Sequence, residues 1–318
     1  MKSSQQPDNL GMFVNVFMRI CHRSAFPIFK IANMRSGKSK RVIPFALASE
    51  DRRALRRAFD HLEYPSFAAR LSSIVGTPIE MAVKLLPRSW YTALHRGVEA
   101  AVAKALDVAI NSLNDSVRPL TDRRYRMMGA VSGAVGGFFG GPALLLEMPL
   151  TTVIMLRSIA DIAKQEGEDM ESLEGQLACL EVFAMGGRSS EDDAADTGYY
   201  GLRLALEAPV SSAARHISRR GLDRRSAPAL VNLIGRISER FGLVLSERAA
   251  AKLIPVVGAL GGAFINNVFI QHFQETARSH FTIRRLERKY SRSLIEAEYK
   301  KLKRRPGKAS VRYTALAA

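Results

Sequence analysis

The stretch MMGAVSGAVGGFFGGPALLLEMP, residues 127–149, decides the fold of this chain, because its first twenty residues carry no formal charge and include six glycines. Four of these glycines are spaced four residues apart and would form one groove without side chains on a helix: Gly129, Gly133, Gly137 and Gly141. Glycine costs about 1 kcal/mol relative to alanine inside a helix in water. Four of them on one face therefore predict another helix packed closely against this one, as small-xxx-small motifs allow.

A second uncharged segment, LIPVVGALGGAFINNVFIQHF at residues 253–273, repeats the pattern with Gly258 and Gly262. Both segments reach the length that a helix needs to span a bilayer. The same glycine pattern also allows tight helix crossings inside a bundle in water. The two segments therefore predict either membrane contact or close helix packing, and the spacing alone leaves both open.

Two features of the first segment argue against a straight membrane-spanning helix. The sequence Gly-Gly-Pro at residues 140–142 lies in its middle, and proline breaks or kinks a helix at such a position. Glu147 would need a partner or a proton at depth in lipid. We therefore predict a helical hairpin with arms at residues 127–139 and 143–156, either monotopic or peripheral on a membrane, or buried within the protein and able to open.

Most of the remaining chain has the period of amphipathic helices and almost no strand alternation. Residues 96–113 and 283–303 each place apolar side chains on one stripe, so we predict one packing helix in each range. Helix starts are predicted at Thr121-Asp122 and Ser246-Glu247, and loops at 33–44, 186–198 and 219–228. The predicted fold class is all-α, a helical bundle with two glycine-rich apolar segments.

Positive charge is concentrated at the two ends of the 318-residue chain, whose formal net charge is +17. Residues 1–60 contain 12 Lys and Arg against 4 Asp and Glu, and residues 276–318 contain 13 against 3. We predict a basic N-terminal extension at 1–60, a helical domain at 61–292 and a basic C-terminal tail at 293–318. Such ends either attract polyanions, an anionic membrane leaflet or nucleic acid, or form a solvated surface.

The cysteines and the N-terminus favour a reducing, cytoplasmic location. Cys21 and Cys179 lie far apart in the sequence and fit neither a disulfide framework nor a metal site. Near the N-terminus, Arg19 and Arg23 interrupt an apolar run before it reaches the length of a signal-peptide core. We therefore expect no secretion signal.

The sequence predicts no catalytic, cofactor-binding or metal site. ANMRSGKS at residues 32–39 partly matches a phosphate-binding loop, but it lacks the first glycine and Pro44 soon follows. His272, Glu275 and His280 have the spacing of metal ligands without a second ligand pair, so we interpret them as an exposed face of an amphipathic helix. No nucleic-acid-binding motif accompanies the basic ends, so no specific nucleic acid partner is expected.

Three stretches together resemble the bacterial EcsC protein family over roughly residues 95–292. They are GAVSGAVGGFFGGPALLLEMPLTTVIMLRSIADIAKQEGED, LACLEVFAMGG and KLIPVVGALGGAFINNVFIQHFQETARSHFTIRRLERKY. The resemblance implies a mostly helical protein from a family that is named after a locus encoding an ABC transporter. It implies no established biochemical activity.

The polar candidates within these motifs are Glu147, Arg157 and Asn266. The family usually has Asp at the position of Glu147, which puts in doubt any role that needs a fixed carboxylate geometry. We expect Glu147 and Arg157 to form a polar pair near the base of the hairpin, provided that Pro149 bends the arm. Ten residues separate the two side chains in sequence.

The sequence thus predicts a non-enzymatic, membrane-associated factor of the EcsC type at the inner face of the cytoplasmic membrane. Its expected partners are an anionic membrane surface and a membrane transporter subunit, and no cofactor is expected. Two alternatives stay open: a hydrolase with a scattered site, and a soluble helical scaffold that binds a protein. The chain also ends in Leu-Ala-Ala at residues 316–318, which resembles a recognition tag for Clp-type proteases.

Overall fold

The computed structural model describes residues 47–63, 67–76, 79–84, 88–113, 120–139, 141–187, 198–222, 227–253 and 258–304. These ranges contain eleven α-helices and no strand, which confirms the predicted all-α fold class. The helices are α1 (Ser49–Glu63), α2 (Phe67–Val75), α3 (Ile79–Lys84), α4 (Arg88–Ser112), α5 (Asp122–Phe139), α6 (Gly141–Gln165), α7 (Leu173–Met185), α8 (Tyr199–Arg220), α9 (Pro228–Leu253), α10 (Gly258–Tyr290) and α11 (Arg292–Arg304).

Helix α4 packs through the apolar stripe that its sequence predicts. Five side chains of the stripe at 96–113 are buried: Val98, Val102, Leu106, Ala109 and Leu113. The helix lies against α6, α7 and α9. The packing helix predicted in this range is confirmed.

Helices α5 and α6 form the helical hairpin that the first glycine-rich segment predicts. Helix α5 begins at Asp122, at the predicted start, and ends at Phe139. Helix α6 begins at Gly141, so Pro142 lies in its first turn, where proline is tolerated. It then continues through Pro149 to Gln165, beyond the predicted end of the second arm.

Other predicted helix boundaries are confirmed in part. The predicted loops at 186–198 and 219–228 fall between α7 and α8 and between α8 and α9. The start predicted at Ser246-Glu247 is wrong, because both residues lie inside α9. The Ser246 hydroxyl donates to the Gly242 carbonyl at 2.8 Å, so it bonds backward along the same helix instead of capping a new one.

The glycine groove of α5 packs against the N-terminal half of α10. A Cβ atom at Gly133 would lie 2.6 Å from the carbonyl oxygen of Gly262 and 2.6 Å from Cγ of Asn266, and one at Gly129 would overlap Ile270. Helix α10 can approach α5 this closely only because α5 has no side chain at these two positions. Gly129, Gly133 and Gly262 therefore lie at one close helix crossing.

The order of these contacts shows that α5 and α10 run antiparallel. Gly129 meets Ile270, and Gly133, further along α5, meets Gly262, which comes earlier in α10. The C-terminal end of α5 and the N-terminal end of α10 therefore lie at the same end of the bundle. We call residues 127–139 of α5 and 258–270 of α10 the glycine-rich end. The surroundings of Gly137, Gly141 and Gly258 lie outside what the structure describes.

Helix α10 runs through the core for 33 residues, about 50 Å. Its rings Phe269 and Phe273 pack with Phe183 of α7 and Phe241 of α9, with ring centroids 4.8–6.3 Å apart. Its C-terminal half has a row of cations that pair with acids of α1 and of the residues after α6: Arg284, Arg285, Arg288 and Lys289. One helix thus connects the glycine-rich end to a highly charged end.

The single packing helix predicted at 283–303 is wrong, because the chain breaks there into α10 and α11. Between them, Ser291 adopts a backbone φ of 134°, which no helix residue has. The Ser291 hydroxyl then accepts a hydrogen bond from the Leu294 N–H at 3.4 Å, in the manner of an N-cap. The buried face of α11 is formed by Ile295 and Tyr299.

None of the described helices is both long enough and apolar enough to cross a membrane. Residues 1–46 and 305–318 lie outside the described residues, and so do the predicted loop at 33–44, the phosphate-loop-like stretch and the C-terminal Leu-Ala-Ala. The domain boundaries predicted after residues 60 and 292 stay predictions. Helix α1 extends across the first of them and packs against α10.

Candidate functional site

A polar cluster lies at the glycine-rich end and includes residues of four helices. Helix α5 contributes Ser132, α6 contributes Glu147 and Thr151, α9 contributes Arg248 and α10 contributes Asn266. All five side chains are buried, in helices whose other residues here are mostly apolar. We call these five residues the junction cluster.

The carboxylate of Glu147 is the acceptor at the centre of the junction cluster. Its Oε1 atom accepts hydrogen bonds from Nη2 of Arg248, from Nδ2 of Asn266 at 2.5 Å and from the hydroxyl of Thr151 at 3.2 Å. The Thr151 hydroxyl also lies 3.3 Å from that of Ser132. Glu147 therefore links all four helices through hydrogen bonds.

Arg248 is the least exposed charged side chain of the cluster, with a relative exposure of 0%. Its guanidinium carbon lies 4.7 Å from the ring centroid of Phe269, a cation–π contact. Burial lowers the pKa of Arg248, and the neighbouring Glu147 carboxylate opposes that shift. The pair is therefore a buried ion pair, whose desolvation cost must be offset by geometry and hydrogen bonds.

Two nitrogen atoms of Arg248 are not used by this pair. Nε and Nη1 are buried and have no hydrogen-bond partner among the residues that the structure describes. The same is true of the side-chain oxygen of Asn266, whose Nδ2 donates to the Gly129 carbonyl at 2.8 Å as well as to Glu147. Both acceptors of Nδ2 are oxygens, so the amide orientation follows from the hydrogen bonds. The junction cluster thus has unused donors and an unused acceptor.

A comparison with protein families matches the EcsC protein family over residues 53–286. The chain belongs to the EcsC protein family. The match begins well before the range of the resemblance noted from the sequence, and it includes all five residues of the junction cluster. Comparisons with curated proteins and with solved structures found no match.

The structure of this EcsC protein brings together two of the three polar residues selected from the sequence. Glu147 and Asn266 are hydrogen-bonded to each other, but Arg157 donates from Nη2 to the Ser112 hydroxyl at 3.0 Å. The predicted pair of Glu147 and Arg157 is wrong. Because α6 continues through Pro149, ten residues of helix separate the two by about 15 Å along its axis.

Arg248 is the residue that sequence reasoning missed. A carboxylate in an uncharged segment requires a cation, and Arg248 lies just before the second uncharged segment of this EcsC protein. The need for a cation could have been noticed in the sequence, but Arg157 is nearer to Glu147 along the chain and met that need equally well. The choice between Arg157 and Arg248 depends on which helices pack together, and the spacing of residues along the sequence does not predict that.

The other titratable residues considered from the sequence do not form a metal site in this EcsC protein. His272 and His280 are buried, so the exposed helical face predicted for them is wrong. His272 donates from Nε2 to the Gly186 carbonyl at 2.9 Å, and His280 Nδ1 lies 2.9 Å from the Tyr199 hydroxyl. Glu275 instead pairs with Arg70 at 2.6 Å. Within the described ranges, no three His, Cys, Asp or Glu side chains are placed to hold a metal ion.

Proposed function

We propose that this EcsC protein is a non-enzymatic factor that contacts an anionic membrane surface, at the inner face of the cytoplasmic membrane, through its glycine-rich end. One observation carries the proposal. The crossing of Gly133 with Gly262 brings two separate uncharged segments of the sequence to the same end of the bundle. Interfacial proteins bury apolar surface of this kind at the boundary between head groups and acyl chains.

Exposed apolar side chains on these two segments support the proposal. Met127 and Val131 of α5 are 61% and 54% exposed, and Phe264 of α10 is 48% exposed. A large apolar side chain in water gains free energy when lipid covers it, at about 25 cal/mol per Å² of apolar area. The glycine-rich end thus combines two segments that lack charged residues with apolar side chains that a lipid surface could cover.

The two basic ends of the sequence supply the long-range attraction in this proposal. Each cation close to an anionic leaflet contributes about 1 kcal/mol. Attraction of this kind is screened by salt, whereas apolar insertion is not. The two contributions can therefore be separated by measuring binding at low and high salt.

The test is flotation of the purified full-length protein with liposomes of phosphatidylcholine alone or with phosphatidylglycerol. The test variant is Val131→Asp with Phe264→Asp, which places charge on the glycine-rich end without changing a buried side chain. The matched control is Leu204→Asp with Val231→Asp, at residues of α8 and α9 that are 67% and 62% exposed. We expect the wild-type and control proteins to float with anionic vesicles. The affinity of the test variant for these vesicles should be at least tenfold lower.

Three results would contradict the proposal. If both double variants float like the wild type, the glycine-rich end does not contact lipid. If the wild-type protein floats with neither kind of vesicle, it does not bind a lipid surface through these side chains. Binding that forms at low salt and is lost completely at high salt would leave only the basic ends as the membrane-binding part.

A further inference from the structure

We infer that the exposed face of α1 is a docking site for an acidic helix of a partner protein. The face consists of two adjacent pairs of arginines, one helical turn apart. We call these four residues the arginine face: Arg52, Arg53, Arg56 and Arg57. The inference does not rest on the proposed membrane contact, because the arginine face and the glycine-rich end lie on different parts of the bundle.

Packing against α10 and α11 determines which side of α1 faces solvent. Phe59 is buried, and its ring packs against that of Tyr299 in α11, with centroids 4.9 Å apart. Asp51 is also buried and accepts hydrogen bonds from Lys289 at 2.6 Å and from Tyr290 at 2.7 Å. The acid next to the arginine face in sequence is thus held by α10. All four side chains of the arginine face point the other way and are exposed.

The arginine face is not neutralised by the described part of the chain. Among the described residues, no carboxylate forms an ion pair with any of its four side chains. On the neighbouring α11, by contrast, Lys300 pairs with Glu296 and Lys301 pairs with Glu298. Each arginine of the face has another arginine four residues away, and like charges at that spacing destabilise a helix. A ligand with matching negative charges removes this repulsion.

The position of the arginine face argues against the proposed lipid surface as its partner. His61 of α1 lies beside Thr276, with Nε2 3.4 Å from the hydroxyl oxygen, and Asp51 lies beside Lys289. From Phe264 in the glycine-rich end, α10 rises about 18 Å to the first of these contacts and about 38 Å to the second. The Debye length is about 8 Å, so the charge of a leaflet at the glycine-rich end is screened there. The long-range attraction to a membrane is then left to the cations outside α1.

The composition and size of the arginine face favour a protein partner over a nucleic acid. No exposed residue of α1 is aromatic, so the face has no ring on which a base could stack. Glu50 precedes the face and Asp60 follows it, so the positive charge extends over about two helical turns. A nucleic acid duplex has phosphates well beyond that length. The face therefore fits a short acidic segment.

A partner helix with carboxylates in two rows matches the arginine face in spacing. Residues i and i+4 of any α-helix are about 6 Å apart along its axis. Glutamates at positions i, i+1, i+4 and i+5 of a partner helix therefore repeat at the same spacing as the four arginines. Arginine and a carboxylate form two parallel N–H···O bonds, which fix the orientation of the pair as well as attracting it.

Fluorescence anisotropy of a labelled acidic peptide with the purified full-length protein tests this site. The probe is an alanine-based helical peptide with glutamates at positions i, i+1, i+4 and i+5. The comparison peptide has the same four glutamates spread evenly around the helix. We expect the probe to bind at least about fivefold more tightly than the comparison peptide, because exposed ion pairs are individually weak and must form together. Added salt should weaken the binding of the probe.

A variant without the four charges locates the binding. The test variant is Arg52→Gln, Arg53→Gln, Arg56→Gln and Arg57→Gln. The matched control removes two adjacent pairs of exposed arginines from α5 and α8: Arg123→Gln, Arg124→Gln, Arg219→Gln and Arg220→Gln. We expect the test variant to bind the probe at least about tenfold more weakly, and the control to stay within about twofold of the wild type. The test variant should resist urea at least as well as the wild type, because it lacks the like-charge pairs.

Four results would overturn the inference. Equal probe affinity of the two variants would place binding elsewhere on this basic chain. Equal affinity of the wild type for both peptides would mean that the spacing of the arginines is not recognised. No binding of the probe by the wild type would mean that the face has no partner of this kind. In the fourth result, the test variant alone loses affinity for a DNA duplex or for phosphatidylglycerol vesicles and keeps its affinity for the probe.

The acidic run of the chain itself, at residues 191–196, is the remaining competitor for the arginine face and lies outside the described residues. The variant Asp192→Asn with Asp193→Asn tests it. Equal probe affinity of this variant and the wild type supports an external partner. Probe binding that appears only in this variant would overturn the inference, because the chain would then supply its own acidic partner.

Discussion

Gly133 has no room for a side chain, because the backbone of α10 lies where its Cβ atom would be. The nearest atoms are the side-chain amide of Asn266, which two hydrogen bonds hold in place, and the Gly262 carbonyl oxygen, which belongs to the backbone. A glycine at this position is therefore required by a neighbouring helix and not by its own backbone conformation. The same requirement links one end of the bundle to the junction cluster, since Asn266 belongs to both.

We expect Gly133→Ala to lower the free energy of unfolding by about 1–3 kcal/mol, the usual cost of overpacking a close contact. Gly235→Ala in α9 is the matched control, because a Cβ atom there has no neighbour within 4 Å. The control should raise the free energy of unfolding by up to about 1 kcal/mol, since alanine favours a helix more than glycine does. Urea unfolding followed by circular dichroism measures both. A stabilising effect at both positions would contradict the close crossing.

Glu147 and Arg248 provide a second prediction for single residues. Glu147→Gln leaves the Arg248 charge buried without a counter-ion, and breaking a buried ion pair in this way costs about 3–5 kcal/mol. Adding Arg248→Met to the same chain should recover at least half of that loss, because no charge is then left buried. Chemical denaturation of the single and double variants measures the coupling. Losses that simply add would show that the two side chains do not interact.

Single residues were predicted correctly from the sequence where local spacing decides their place. The apolar stripe from Val98 to Leu113 depends only on the 3.6-residue period, and all five of its side chains are buried. The partner of Glu147 depends instead on which helix packs beside α6. Arg157 and Arg248 were equally available in the sequence, and only the packing of α9 against this region distinguishes them.

At the scale of helices, the boundary between α10 and α11 is a feature that the sequence pattern does not predict. Apolar residues continue at helical spacing across residues 283–303, so periodicity predicts one helix. The Ser291 backbone ends α10 with a φ of 134° and turns the chain. Its hydroxyl then caps α11. A serine is a common cap and also a common surface residue, so its presence alone did not place the break.

Replacing Ser291 tests the strain at this boundary. A residue other than glycine in such a conformation costs about 1–3 kcal/mol, whereas glycine in place of serine at an N-cap loses only a few tenths. We therefore expect Ser291→Gly to raise the free energy of unfolding by about 1 kcal/mol. The adjacent control Ser293→Gly lies within α11 and should lower it by up to about 1 kcal/mol. Thermal unfolding distinguishes the two, and a loss of stability in both variants would mean that Ser291 is not strained.

At the scale of the whole molecule, buried histidines make the folded state sensitive to acid. Burial lowers the pKa of His272 to about 3 and that of His61 to about 4. In the unfolded chain both have a pKa near 6.5. The unfolded state therefore binds more protons than the folded state between these values. Stability is fully present above pH 6.5 and is lost as the pH falls through this window.

We expect the free energy of unfolding to fall between pH 7 and pH 5 by about 2 kcal/mol from His272 alone. His272→Gln keeps a donor for the Gly186 carbonyl but does not titrate, so its stability should depend less on pH. Denaturant unfolding at the two pH values measures the difference. An equal fall in the wild type and the variant would show that His272 is protonated in the folded state.

The sequence was sufficient for the fold class, the family and the hairpin of α5 and α6, because each depends on patterns that are local or repeated. It was not sufficient for the meeting of the two glycine-rich segments, which lie more than a hundred residues apart. The sequence around Gly133 does not indicate that Gly262 is its packing partner, and the reverse is also true. Their contact is a property of the assembled bundle, and so is the junction cluster that lies beside it.

The length of α10 has a consequence for how charge can act on this molecule. From Gly258 to Arg284 the helix rises about 39 Å. The Debye length at physiological ionic strength is about 8 Å, so an electric field weakens many-fold over that distance. The charge of a surface that touches the glycine-rich end is therefore screened before it reaches the cations of the other end, which interact with groups close to them: Arg284, Arg285, Arg288 and Lys289.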